Sequence, residues 1–118
     1  MSFMNNILYS GTTKEFYDEQ IQKEGKYSGQ NRIYLTESLW HAIGIARNRA
    51  EEYKASPLLL VIQINKISKP INMEDNALIT IESLLPSEVL TFENLPSLFD
   101  DETAERFERK INELFNVF

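Results

Sequence analysis

The strongest constraint on this chain is the run Leu58, Leu59, Leu60, Val61 and Ile62, which continues through Gln63 to Ile64. Consecutive residues of a strand point to opposite faces, so an unbroken apolar run needs cover above and below and a strand on either side. The segment 58–64 is therefore expected at the centre of a sheet. Pro57 pushes Ser56 out of the helical region and ends whatever helix precedes it. A chain of 118 residues holds one core around such a strand, so residues 1–118 are read as a single domain.

Partners for that strand are found on both sides of it. Residues 6–10 form a short apolar strand that delivers Gly11, Thr12 and Thr13. Residues 32–36 alternate, with Ile33 and Leu35 on one face and Arg32, Tyr34 and Thr36 on the other. After a turn at Glu74, Asp75 and Asn76, residues 77–81 form a further strand. Pro86 breaks the chain, and residues 88–92 form the last strand, with Val89 and Leu90 inward.

Helices fill the intervals. Phe16, Tyr17 and Ile21 share a helical face over 14–24, with Thr13 as N-cap and Gly25 where a left-handed C-terminal residue favours glycine. Ser38 or Thr36 caps a second helix, with Glu37 near its first turn. Its apolar stripe is Leu39, Ala42, Ile43, Ala46, Ala50 and Tyr53, with Arg47, Arg49, Glu51 and Glu52 largely elsewhere. A third helix starts at Asp100 or Asp101 and runs over about 100–117. Phe107, Ile111, Leu114 and Phe118, widened by Ala104 and Phe115, give it a stripe that caps the core, meets a second copy or enters a partner's groove.

Composition removes several chemistries. With no cysteine there is no disulfide, thiolate nucleophile or thiolate metal site. His41, the sole histidine, lies beside the apolar stripe of the second helix and reads as a surface residue, so no metal centre is expected. The net charge of -6 argues against extended nucleic-acid binding, which needs clustered Lys and Arg; Lys26, Arg32, Arg47 and Arg49 are the few candidates for a basic groove. No apolar run approaches a membrane span and residues 1–6 lack a signal peptide's pattern, so a cytoplasmic location is expected.

Two stretches carry candidate chemistry. Gly11 with Ser10, Thr12 and Thr13 lets the chain turn and cap the next helix, or lets a ligand approach a backbone flanked by hydroxyls. The face carrying Arg32, Tyr34 and Thr36 is a solvent-facing edge, or a surface that pairs with a phosphate and stacks on a ring.

The order of Tyr9, Ser10, Gly11, Thr12, a helix closing at Gly25, the strand with Arg32, Tyr34, Leu35 and Thr36, an alanine-rich helix, the apolar strand, and then Asn76 to Leu90 with Leu85, Pro86, Ser87 and Glu88 resembles the ADP-ribosyltransferase superfamily. It looks closest to the RNA 2′-phosphotransferase branch, and less close to the small rifampin-modifying enzymes. The resemblance covers about 7–92 and leaves the terminal helix outside it. It implies an α+β fold with a split, mainly antiparallel sheet, helices after the first and second motif strands, and NAD as cofactor. The implied activity is ADP-ribosyl transfer to a protein, a nucleic-acid end or an RNA 2′-phosphate. The alternative is a catalytically degenerate module on the same scaffold that binds a nucleotide or a protein.

By that resemblance Tyr9, Ser10, Gly11, Thr12, Tyr34 and Thr36 bind the cofactor, with Tyr34 on the nicotinamide ring and Arg32 on a phosphate. Ser10 stands where the family has a histidine that binds the adenosine ribose, which implies weaker dinucleotide binding. Ala77 stands where glutamate-type transferases carry their catalytic carboxylate. Glu82 and Glu88 are the nearby substitutes, completing a candidate catalytic set with Tyr34 and Arg32.

Overall fold

The computed structural model describes residues 7–73, 78–96 and 101–116. The apolar run lies where its sequence demands: β3 (Pro57–Gln63) is the middle strand of a three-stranded antiparallel sheet, between β1 (Ile7–Thr13) and β6 (Val89–Phe92). A second antiparallel sheet holds β2 (Ile33–Leu35), β5 (Ile79–Ile81) and β4 (Asn72–Met73), with β5 central. Among the described residues three α-helices complete this α+β fold: α1 (Lys14–Glu24), α2 (Leu39–Tyr53) and α3 (Asp101–Asn116).

Strand alternation gives the first sheet two different sides. Leu8, Leu58, Leu60 and Ile62 face a core built with Ile33, Leu35, Ile79 and Ile81 of the second sheet, joined by Tyr17 of α1 and by Tyr27. Ile7, Tyr9, Leu59 and Val61 face the opposite way, onto Leu39, Ala42 and Ile43 of α2 and Ile111 of α3. The order is thus helices, sheet, sheet, and β3 is covered on both faces. Burying its five central side chains is worth roughly 1.5–3 kcal/mol each relative to exposure.

Local signals agree with the helix limits. The Thr13 side chain accepts a hydrogen bond from Phe16 N, and Gly25 takes a left-handed conformation (φ 74°) with its N–H on Ile21 O. Ser38, not Thr36, caps α2, its hydroxyl accepting from His41 N. Helix α2 packs so closely because Leu39, Ala42, Ile43, Ala46 and Ala50 are its buried residues. His41 is exposed.

Several expectations need correction. The first strand does not stop at Ser10 but continues extended through Gly11 and Thr12 to Thr13, paired with β3 throughout, so Gly11 makes no turn. A Cβ on Gly11 would lie 2.2 Å from Ala42 O and 2.7 Å from Ala46 N, so the glycine is required by the approach of α2. Tyr53 is 62% exposed rather than part of the buried stripe, because the helix there reaches the end of the β1–β3 ladder at Thr13 and Pro57. Leu90 is 39% exposed, not inward, on the edge strand β6. The two-residue strand β4 is not visible as a hydrophobic pattern, both of its residues being exposed.

In α3, Ala104 and Ile111 are buried, Phe107 packs edge-on to Phe92 at 5.4 Å, and Leu114 is 44% exposed. The expected turn at Glu74, Asp75 and Asn76, the Ala77 position, Asp100, the Phe115 side chain and Phe118 lie outside the described residues. Among the described residues no helix is long and apolar enough to cross a membrane.

Candidate functional site

Among the described residues, backbone pairing joins the two sheets through one bridge. Tyr9 N donates to Thr36 O at 2.8 Å, and Thr36 N donates back to Tyr9 O at 2.9 Å. Continuing that antiparallel register would set Gly11 against Tyr34 and Thr13 against Arg32. The ladder instead stops after one pair, because β2 turns away to pair with β5. Gly11 therefore keeps its N–H and C=O on an edge of β1 that β2 has left, since successive odd residues of a strand present these groups to the same side.

A cleft of about 770 Å³ occupies the split, within the range of small-molecule sites. Ser10, Gly11, Thr12 and Thr13 line it from β1; Gly29, Gln30, Asn31, Arg32 and Tyr34 line it from the loop and strand opposite. Glu15, Phe16 and Glu19 contribute from α1. From α2 come Ile45, Arg49, Glu52 and Tyr53, positions that share one helical face beside the apolar stripe.

The floor is polar and already ordered. Tyr27 is almost fully buried, and its hydroxyl lies 2.9 Å from Thr12 Oγ1 in a hydrogen bond that satisfies both groups. Burial pushes the Tyr27 phenol up, against the opposing pull of the Thr12 bond and the nearby Arg49 charge. Arg49 Nη1 donates to Gly11 O at 2.9 Å, so α2 supplies a guanidinium to the vacated strand edge. The opposite wall is tied down by Gln20, whose amide donates to Gly29 O at 2.6 Å and accepts from Ser28 N at 2.9 Å. At the rim, Lys54 adopts a left-handed conformation (φ 53°), which is uncommon without glycine and turns the chain from α2 back towards β3.

Charge in the cleft does not follow the acidity of the chain. Arg32, Arg49 and Lys54 face Glu15, Glu19 and Glu52, three of each sign. Two of the carboxylates are engaged: Glu15 accepts from Ser56 N at 3.0 Å, and Glu19 pairs with Lys23 at 2.7 Å. The Lys23 hydrogen bond, with its charge, pulls the Glu19 carboxyl below its ordinary value. Two phenol rings stand at the same cleft, Tyr34 at 50% exposure and Tyr53 at 62%.

Of the residues singled out from sequence, Ser10, Gly11, Thr12, Arg32 and Tyr34 are brought together here. Tyr9 and Thr36 do not line the cleft. Their backbones form the closed end of the split, the Tyr9 ring is buried in the helix-side core, and the Thr36 hydroxyl accepts from Ser38 N. Burial, with Glu108 nearby, pushes the Tyr9 phenol up. Glu82 is exposed and outside the cleft lining. Glu88 is likewise elsewhere, its carboxylate accepting from Leu85 N at 2.7 Å and Ser68 N at 2.6 Å. It clamps two loops.

Glu52, Tyr53 and the Tyr27–Thr12 pairing are not legible as site features in the sequence, and Arg49 is legible only as one of four candidates for a basic groove. For the α2 group a signal exists, since Ile45, Arg49 and Glu52 recur at four and three residues, but a polar helical stripe usually only faces solvent. Arg47, weighed as an alternative basic contact, instead donates through Nη2 to Leu95 O at 3.0 Å and to Pro96 O, away from the cleft. Among the described residues no group of three His, Asp or Glu side chains is placed to hold a metal ion. No protein-family model, characterised protein or solved structure matches this chain.

Proposed function

We propose that the cleft binds a nucleotide of the NAD or ADP-ribose type, on a split-sheet scaffold resembling that of the ADP-ribosyltransferases. One observation carries the reading: Ser10, the Gly11 backbone and the Tyr34 ring line a single cleft where β1 and β2 part. The fit is chemical as well as spatial. Tyr34 and Tyr53 offer flat surfaces to a base or nicotinamide ring, Arg32 and Arg49 offer guanidinium forks to phosphate, and Ser10 offers a hydroxyl to a ribose. Tyr9 and Thr36 would act by holding the two strands together rather than by touching the ligand.

NAD supplies a ribose carbon that already carries nicotinamide as its leaving group, so the protein's task is chiefly orientation. In a transferase, Tyr34 would hold the nicotinamide end and Arg32 a phosphate, with a protein, nucleic-acid end or RNA 2′-phosphate as acceptor. Binding without turnover is the second reading, favoured by the positions of Glu82 and Glu88 outside the lining and by the engagement of Glu15 and Glu19 elsewhere.

Calorimetric titration with NAD and ADP-ribose tests the binding claim. The expected result is a saturable heat that Tyr34→Ala weakens by roughly tenfold for NAD, equivalent to about 1.4 kcal/mol, with melting unchanged because the ring is exposed. No heat at millimolar ligand would sink the reading. Nicotinamide release, measured with and without RNA or protein acceptors, separates transfer from binding alone.

A further inference from the structure

We infer that Arg49 is the seat of a phosphate-binding subsite in the cleft, taking the phosphate ester or diphosphate of a ligand whose ring systems lie towards Tyr34 and Tyr53. The assignment of the ring ends rests on the nucleotide reading above; the anion seat stands on the geometry of Arg49 itself.

Arg49 is half-buried and lines the cleft from α2. Its one recorded hydrogen bond runs from Nη1 to Gly11 O at 2.9 Å, and among the described residues no carboxylate lies within ion-pair distance. A guanidinium has five N–H donors, so this one is oriented by a single contact and has donors left for an acceptor in the cleft. Several other cations of the fold are committed. Arg47 holds the Leu95 and Pro96 carbonyls, Lys14 holds Asp18 and Glu93, Lys23 holds Glu19 and Arg106 holds Glu102.

The carboxylates in the cleft do not complete Arg49. Glu15 and Glu19 have the partners described above, and Glu52, one turn along α2, makes no ion pair with it. Leaving a partly desolvated charge without a counter-ion is unfavourable, whereas a bound anion relieves it. The Tyr27–Thr12 hydroxyl pair lies beside the same floor, and the Arg49 charge is close enough to act on the Tyr27 phenol. A guanidinium fork matches carboxylate and phosphate equally. Phosphate is chosen because the cleft is far larger than a small carboxylate needs and presents two exposed rings to whatever the anion is attached to.

The test is a titration of the intact chain with inorganic pyrophosphate, followed by NMR at the Arg49 Nε–H and the Gly11 amide, beside a titration with NAD. Saturable shifts of both signals are expected, with affinity falling roughly tenfold in Arg49→Gln and about threefold in Arg49→Lys, which keeps the charge but loses the fork. ADP-ribose binding should fall in the same order while adenosine binding does not. A purely structural Arg49 would weaken both ligands alike, and that result overturns the inference. Should Arg49→Gln fail to fold, unchanged pyrophosphate affinity in Arg49→Lys overturns it equally. NAD binding with pyrophosphate leaving Arg49 unperturbed refutes the subsite and spares the nucleotide reading. Pyrophosphate bound at Arg49 without any NAD binding does the reverse.

Discussion

Replacing Gly11 with alanine adds one methyl group where the backbone of α2 lies against β1. That Cβ would lie 2.2 Å from Ala42 O, where ordinary contact begins at 3.4 Å, so α2 must withdraw by about 1.2 Å or the strand must bend. Both opposing atoms are helix backbone, and neither can rotate away as a side chain would. Withdrawal also loosens Leu39, Ala42, Ile43, Ala46 and Ala50, the buried face of α2. Overpacking of this kind costs roughly 1–3 kcal/mol, and the shortness of the contact places Gly11→Ala at about 3 kcal/mol. With an unfolding entropy of about 2.1 cal/mol/K per residue, that lowers the melting temperature by roughly 12 °C. Gly44→Ala is the control of opposite sign: nothing lies within 4 Å of the added Cβ inside the same helix, so the propensity gain should raise stability by about 0.5–1 kcal/mol. Thermal melts by circular dichroism, supported by urea midpoints at unchanged slope, measure both. A Gly11→Ala protein melting within about 2 °C of the parent would refute the close approach of α2 and the account of Gly11 built on it.

Three further outcomes are expected. Tyr27→Phe should lower the urea midpoint by the equivalent of about 1–3 kcal/mol, because the Thr12 hydroxyl is left buried without its partner. Glu88→Gln should flatten the acid limb of the stability curve. Partial burial raises the Glu88 carboxyl but the Leu85 and Ser68 hydrogen bonds outweigh it, so the folded value lies below 4.5 and its contribution is present above that pH and lost as the pH falls through the folded value. Denaturant titrations at about pH 5 and pH 3 read this out, and equal slopes against pH in parent and variant would contradict it. Arg47→Ala should free the chain before α3, since the charge-assisted bonds to Leu95 O and Pro96 O are worth roughly 1.5–3 kcal/mol. Hydrogen exchange should show protection over α3 reduced about tenfold or more while β3 is unaffected; uniform loss would mean that α3 is not a separable unit.

Legibility from sequence followed how local the cause was. The caps at Thr13, Gly25 and Ser38 and the central place of β3 were readable, because a cap is decided within four residues and an unbroken apolar run can be satisfied only between layers. Of the uses that the sequence offers for Gly11, the turn is not made: the absence of a side chain matters here because it admits a helix backbone. Tyr53 and Leu90 kept apolar spacing beyond the cover that their neighbours provide, and periodicity has no means of marking where a ladder ends or which strand is the edge.

The candidate site divides in the same way. Ser10, Gly11, Thr12, Arg32 and Tyr34 could be named from residue type and order alone, since small hydroxyls, a glycine, a guanidinium and a phenol have known uses wherever they meet. What the residues could not say is that β1 and β2 share a single bridge before parting, because that depends on β5 competing for β2 from forty-odd residues away. Nor could they assign the two arginines of α2, two positions apart, to opposite sides of the helix, Arg49 to the vacated strand edge and Arg47 to the segment before α3. Side-chain chemistry is written residue by residue; which groups share a cleft is settled only when distant strands choose their partners.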